Sequence, residues 1–191
     1  RNLGAYKALY GEYPMLLEDQ VHLATIFDFE LSPNSPEEDV KSFGQLSQYV
    51  KLCSGLRQLN VGGRKLEAGW IDTLRYLTQL EFLQLSRCDI FPSNAIYDIL
   101  SDKPCLQHLL LSHCQIGESD LLALAHHGSF AHLATLHIAG LPLSSVGICE
   151  LLDILQFSTG LTALDLSHVA AICPLEAQLI VQKLPNLHKL Y

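Results

Sequence analysis

The chain has 191 residues, of which 49% are apolar and 17% are charged, so it is long and apolar enough to bury a core. Its formal net charge of −8 would repel nucleic-acid phosphates and anionic lipid headgroups. No apolar run reaches the roughly 20 residues of a transmembrane helix. We therefore expect neither nucleic acid nor a membrane as a partner.

The cysteine content predicts reduced thiols. No two cysteines form a C-x-x-C pair, and no Asn-x-Ser/Thr acceptor for glycosylation occurs in the chain. A chain of this length does not need disulfides to be stable. We therefore expect an intracellular, cytoplasmic protein. The six cysteines are Cys53, Cys88, Cys105, Cys114, Cys149 and Cys173.

Residues 1–55 form a region of their own in the sequence. Ala24, Phe27 and Phe29 suggest a degenerate strand, and the turn-rich segment 33–38 leads into a helix predicted from about Glu37 to Lys51. This region is interpreted as an N-terminal cap or a worn repeat unit. The alternative is a segment that docks another domain.

An internal repeat begins at Leu56. The pattern L-x-x-L-x-[LIV] occurs five times, with starts 24 to 28 residues apart. Residues four and six of each unit lie on one face of a short strand, which would be buried in a parallel sheet. One unit cannot bury its apolar face alone, which explains the repetition. The units start at Leu56, Leu80, Leu106, Leu133 and Leu161, and a truncated sixth starts at Leu187, so we expect further repeats to follow.

Between the strands the apolar period changes to that of a helix, as at Ile71, Leu74 and Leu77. The sequence therefore predicts one helix per unit, on the opposite side from the strands. The charged residues between the apolar positions are expected to be solvated, Lys103 among them. The predicted helix caps are Ser93, Ser119 and Ser145.

The two most regular units read LEFLQLSRCDI and LQHLLLSHCQI. Position nine is cysteine in both, at Cys88 and Cys114, and position eleven is isoleucine. This sequence resembles the leucine-rich repeat, L-x-x-L-x-L-x-x-[NC]-x-L, and its period resembles the ribonuclease-inhibitor-like subclass. Later units depart from the pattern, with Leu141 and Val169 at position nine, so irregular turns are expected there.

The resemblance implies an α/β solenoid over residues 56–191, with parallel strands on a concave face and helices on a convex face. It also implies non-catalytic protein recognition within a larger intracellular protein. The similar group includes inhibitors, nucleotide-binding sensors of innate immunity and PRAME-like substrate receptors of ubiquitin ligases. The partner would be another protein, which the sequence does not name.

We define the concave face as positions three, five, seven and eight of each unit, which point away from the predicted core. Four of the nine histidines fall there, among apolar and polar residues. This mixture is typical of a recognition surface, although exposed residues without a partner would look the same. The candidate protein-binding residues are Phe82, Gln84, Arg87, His108, Leu110, His113, His137 and Asp165.

The sequence contains no pattern that predicts catalysis, a metal or a cofactor. His108, His113 and His137 come from two adjacent strands, but side chains on a curved sheet are expected to run parallel or to diverge rather than converge on a metal. Cys88 and Cys114 are predicted to be buried, so neither is a candidate nucleophile. The rival interpretation is a structural or autoinhibitory spacer array that has no ligand of its own.

Overall fold

The computed structural model describes residues 28–30, 47–48, 50–92 and 94–191. Most of the predicted helix from Glu37 to Lys51 and the predicted cap Ser93 lie outside the described residues. Residues 47, 48, 50 and 51 have helical backbone, as predicted for the end of that helix.

A parallel sheet runs through the described part of the chain, with one strand from each repeat unit. The strands pair in repeat register, so that Leu59 lies opposite Leu83 and Leu83 lies opposite Leu109. The sheet order is β1-β2-β4-β6-β7-β8-β9, and β3 and β5 form a separate parallel pair. The strands are Asp28–Glu30 (β1), Gln58–Asn60 (β2), Lys65–Leu66 (β3), Phe82–Gln84 (β4), Asp89–Ile90 (β5), His108–Leu110 (β6), Thr135–His137 (β7), Ala163–Asp165 (β8) and Lys189–Leu190 (β9).

The strand β1 places part of the N-terminal region on the sheet. It pairs in parallel with β2, and Phe29 lies opposite Leu59, the residue at position four of the first unit. The sheet therefore extends one strand beyond the first regular repeat. Ala24 and Phe27 lie outside the described residues, and the boundary between residues 55 and 56 stays a prediction.

The leucines of the repeat form one continuous core. The residues at positions one, four and six of all five complete units are buried, and Leu59, Leu83, Leu109, Leu136 and Leu164 have no exposed surface. Strand alternation places these residues on the same side as the helices. The repeat pattern predicted this core correctly, because each leucine position recurs at the same place in successive units.

One helix follows the strand in each of the five complete units. The helices α1 and α2 pack side by side, as do α3 with α4 and α4 with α5. Arg75 of α1 pairs with Asp98 of α2 at 2.8 Å, and Lys183 of α5 pairs with Asp153 of α4. Among the described residues no helix has the length and apolarity needed to cross a membrane. The helices are Ala68–Tyr76 (α1), Ala95–Leu100 (α2), Glu118–His126 (α3), Ser145–Leu155 (α4) and Pro174–Lys183 (α5).

The helix starts differ from two of the predicted caps. The N-cap of α3 is Gly117, so Ser119 lies inside the helix and its prediction as a cap was wrong. The N-cap of α4 is Ser144, one residue before the predicted Ser145. The Ser144 Oγ accepts a hydrogen bond of 3.1 Å from the backbone N–H of Gly147, which satisfies a donor at the helix end.

The prediction that Lys103 is solvated was also wrong. Lys103 is 9% exposed, and its ammonium donates hydrogen bonds to the carbonyls of Arg75 (3.4 Å) and Ser101 (3.2 Å). These carbonyls lie at the C-terminal ends of α1 and α2, where a cation is favourable. Burial lowers the pKa of Lys103 to about 8.

Candidate functional site

The first row of the concave face is formed by position three of successive units. Phe82, His108 and Thr135 lie opposite one another in the sheet register. The rings of Phe82 and His108 are 6.2 Å apart between centroids, and the Nδ1 of His108 is hydrogen-bonded to the Oγ1 of Thr135 at 3.0 Å. The three side chains therefore form a continuous, half-buried strip.

The second row is formed by position five. Gln84, Leu110, His137 and Asp165 are adjacent in the register, as the repeat predicts. The Nδ1 of His137 lies 3.8 Å from the Oδ2 of Asp165, and the ring of Tyr191 lies 6.3 Å from that of His137. Both rows contain half-buried side chains, which limits their rotamer freedom and favours a preformed surface.

Two side chains at position five accept hydrogen bonds from the backbone of their own units. The Oδ1 of Asp165 accepts a hydrogen bond of 2.9 Å from the N–H of Ser167. The Oδ1 of Asn60 accepts an equivalent bond of 3.1 Å from Gly62. In both units the position-five side chain is oriented by the turn that follows the strand.

Position eight differs from the prediction, because it lies beyond the strand in a turn. The strands end at position five, and position eight has a left-handed backbone in every complete unit. Arg87 and His113 were predicted as outward-pointing strand residues, but both are exposed turn residues with positive φ. The residues at position eight are Gly63 (φ 73°), Arg87 (61°), His113 (59°), Gly140 (67°) and His168 (60°).

The turn backbone is held by a second hydrogen-bond ladder. The N–H of Arg87 donates to the carbonyl of Ser112 at 2.8 Å, and the N–H of His113 donates to the carbonyl of Ala139 at 2.8 Å. Each bond joins position eight of one unit to position seven of the next. Because the ladder fixes the backbone, it sustains a left-handed conformation that is unfavourable for residues other than glycine.

A ladder of thiols lies beneath the concave face. The Sγ of Cys88 donates to the carbonyl of Val61 at 3.2 Å, and the Sγ of Cys114 donates to the carbonyl of Leu85 at 3.0 Å. Burial raises the pKa of Cys88 to about 11 and that of Cys114 to about 12. Both thiols are therefore protonated donors, which agrees with the sequence prediction that they are buried structural residues.

A cavity of about 690 Å³ lies away from the concave face, between the ends of α2 and α3. Its lining includes Tyr97 from α2, Leu124 from α3, and His127 just after α3. None of the eight candidate residues lines it. No pattern in the sequence indicates this cavity, because the cavity depends on how two neighbouring helices are spaced.

Comparison with known proteins identifies the fold. No protein-family model and no curated protein matches the sequence. An internalin from Listeria monocytogenes has a TM-score of 0.57 and 21% identity over 92% of this chain, and a second internalin from that species has a TM-score of 0.55 and 19% identity over 87%. The chain is an α/β leucine-rich-repeat solenoid.

A third solved structure, a protein from Bacteroides fragilis, has a TM-score of 0.51 and 12% identity over 99% of this chain. The 191-residue chain spans 50% and 61% of the length of the two internalin chains and 80% of the length of the Bacteroides chain. At these identities the likeness concerns the fold. The shared fold accounts for the position of the concave face but not for the side chains on it.

Proposed function

We propose that this solenoid is a non-catalytic recognition module that binds another protein on its concave face. The observation that carries the proposal is the pair of adjacent rows at positions three and five, in which half-buried aromatic, imidazole and aliphatic side chains lie in register. A rigid surface of this composition loses little entropy on binding and can exclude water around an anchor residue. The leucine-rich-repeat fold is consistent with such a role.

The residues proposed to contact the partner are those that the sequence predicted. Phe82, His108 and Leu110 would form the centre of the interface, because they adjoin one another across β4 and β6. Arg87 and His113 would contribute from the turn rather than from the strands. The full set is Phe82, Gln84, Arg87, His108, Leu110, His113, His137 and Asp165.

The finer role is also a proposal. The module would belong to a larger intracellular protein of the ribonuclease-inhibitor-like subclass, acting as a substrate receptor, a sensor or an inhibitor. Six free cysteines, of which Cys53, Cys88 and Cys114 are buried, support a reducing, cytoplasmic location. Nothing in the proposed binding mode requires a cofactor or a catalytic residue.

A second candidate function is a spacer or autoinhibitory array whose concave face is unused. Exposed apolar side chains on the helices and in the turn after α4 favour it, because other domains of the same protein could cover them. Phe157 is 79% exposed, Val146 is 75% exposed and Val181 is 71% exposed. The two functions use opposite faces of the solenoid and can be separated by substitution.

The test is an affinity capture with two matched variants. The concave variant has Phe82, Leu110, His108 and His137 changed to alanine. The convex control has Phe157, Val181, His126 and His127 changed to alanine, which removes the same residue classes from exposed positions on the helix side. Circular dichroism first establishes that both variants are folded.

A partner that is captured by the native protein and the convex control, but lost from the concave variant, would support recognition by the concave face. Loss from the convex control alone would favour the spacer array. Identical captures from all three proteins would contradict the proposal.

A further inference from the structure

Two histidines from different repeat units meet at the turn edge of the concave face. His113 and His168 occupy position eight of the third and fifth units, and their imidazole rings are 5.9 Å apart between centroids, at an interplanar angle of 41°. Both side chains are exposed. Neighbouring strands lie about 4.8 Å apart, so residues two strands apart start about 10 Å apart. The rings have therefore turned towards each other across the intervening unit.

The residue between them makes this approach possible. Gly140 occupies position eight of the fourth unit, and a Cβ atom there would lie 2.2 Å from the Nδ1 and 2.5 Å from the Cε1 of His113. Non-bonded carbon and nitrogen atoms do not approach so closely, so any other residue at this position would displace the His113 ring. The gap left by Gly140 is filled by the imidazole of the preceding unit.

The backbone fixes the points from which the two rings extend. His113 and His168 have φ values of 59° and 60°, a region that side-chain-bearing residues seldom adopt. The N–H of His113 donates to Ala139, and the N–H of Gly140 donates to the carbonyl of Ser167 at 2.8 Å. The ladder thus holds the turn of His113 directly, and it holds the equivalent turn of His168 through the carbonyl of the preceding Ser167. Side chains on the strands are expected to run parallel or to diverge, but His113 and His168 project from turns and not from the sheet, so their rings can approach each other.

The spacing of the rings suits a shared metal ion. Imidazole is a ligand for Zn²⁺, Ni²⁺ and Cu²⁺. At a metal–nitrogen distance of about 2.0–2.1 Å, two imidazoles on one ion have ring centres about 5 Å apart, so side-chain rotations alone would close the observed spacing. The geometry points to a two-histidine site, formed by His113 and His168, that binds a divalent transition-metal ion.

The site would be open rather than closed. Among the described residues, no group of three or more His, Cys, Asp or Glu side chains is arranged to hold a metal ion. A metal bound by His113 and His168 alone keeps coordination positions for water or for a donor from another molecule. This inference does not rest on the proposed recognition function, since the two imidazoles and Gly140 are sufficient for it.

The experiment is a calorimetric titration of Ni²⁺ into the protein, with a second series in Zn²⁺. All proteins carry Cys173→Ala, so that this exposed thiol does not compete for the metal. The test variants are His113→Asn and His168→Asn, because asparagine tolerates a left-handed backbone and should preserve the fold. The matched controls are His126→Asn and His188→Asn, which remove exposed histidines outside the pair.

We expect one Ni²⁺ per chain, with affinity lowered about tenfold or more by each test substitution and left within about twofold by each control. Gly140→Ala should also weaken binding, because it retains both imidazoles but pushes the His113 ring aside. Gly63→Ala should not weaken Ni²⁺ binding. Gly63 occupies the same position in the first unit, and the space around it is open.

Absence of Ni²⁺ binding would overturn the inference. So would binding that survives both His113→Asn and His168→Asn, or that falls equally in the test and control variants.

Discussion

Cys88 and Cys114 join neighbouring repeat units through hydrogen bonds from their thiols to strand-end carbonyls. Burial keeps the pKa of each thiol well above 9, so neither forms the reactive thiolate near neutral pH. These thiols contribute fully to stability below about pH 9, and that contribution is lost as the pH rises towards 11–12, because the unfolded thiols ionise first.

Thiol labelling tests this description. With iodoacetamide at pH 8, the exposed Cys173 should be alkylated first, and Cys88 and Cys114 should stay unmodified while the protein is folded. Mass spectrometry of tryptic peptides measures each site. Protein unfolded in urea is the control, in which all six cysteines should react. Alkylation of Cys114 at the rate of Cys173 would contradict the thiol ladder.

Gly63 and Gly140 are a matched pair at position eight, since both have positive φ but only Gly140 lies under a side chain. Gly63→Ala should cost about 1 kcal/mol of unfolding free energy, from the left-handed backbone alone. Gly140→Ala should cost about 1–2 kcal/mol more, because the His113 ring must move. Urea denaturation measures both, and equal losses would show that the His113 contact adds no constraint.

One helix caps the start of the next at α3 and α4. The Oε2 of Glu118, in the first turn of α3, accepts a hydrogen bond of 2.5 Å from the backbone N–H of Ser144, the N-cap of α4. Gly147 leaves room for this carboxylate, since a Cβ there would lie 2.2 Å from the Oε2 of Glu118. The hydrogen bonds from Ser144 lower the pKa of Glu118. One repeat unit thus stabilises the start of the next helix.

This contact predicts a pH-dependent effect of Glu118→Gln. Because the folded pKa lies below the unfolded value, the carboxylate stabilises the fold above the unfolded pKa, and this contribution is lost as the pH falls through the folded pKa. The variant should therefore have a lower Tm than the native protein at pH 7, and the difference should shrink in acid. Thermal unfolding at pH 7 and at about pH 3 measures it.

The matched control is Asp72→Asn, which removes an exposed carboxylate within α1. It should leave Tm nearly unchanged at both pH values. A Glu118→Gln deficit that persists undiminished in acid would contradict a charge-dependent cap.

The sequence predicted the elements better than their ends. The strands and helices follow from apolar periods of two and of three to four, which repeat in every unit. The caps Gly117 and Ser144 were missed, because a helix start depends on where the chain leaves the preceding turn, and several nearby residues could serve. Lys103 was misassigned for a similar reason, since its partners are carbonyls brought close only by packing.

The solenoid and the two rows of the concave face could be predicted from the repeat, because the period of the repeat sets the register of neighbouring strands. The convergence of His113 and His168 could not. It depends on a left-handed turn at position eight and on the missing side chain of Gly140. A signal was present in the sequence: position eight is glycine in two units and arginine or histidine in the other three, without the leucine pattern of the strands.

We propose that the concave face binds a partner protein through its centre. The most direct measurement is the affinity of the captured partner for the native protein and for the double variant His108→Ala/Leu110→Ala, with thermal unfolding recorded for both. Removal of two central side chains from a preformed interface should lower affinity at least about tenfold while Tm stays close to that of the native protein. Unchanged affinity in a folded double variant would contradict the claim and direct attention to the helix side of the solenoid.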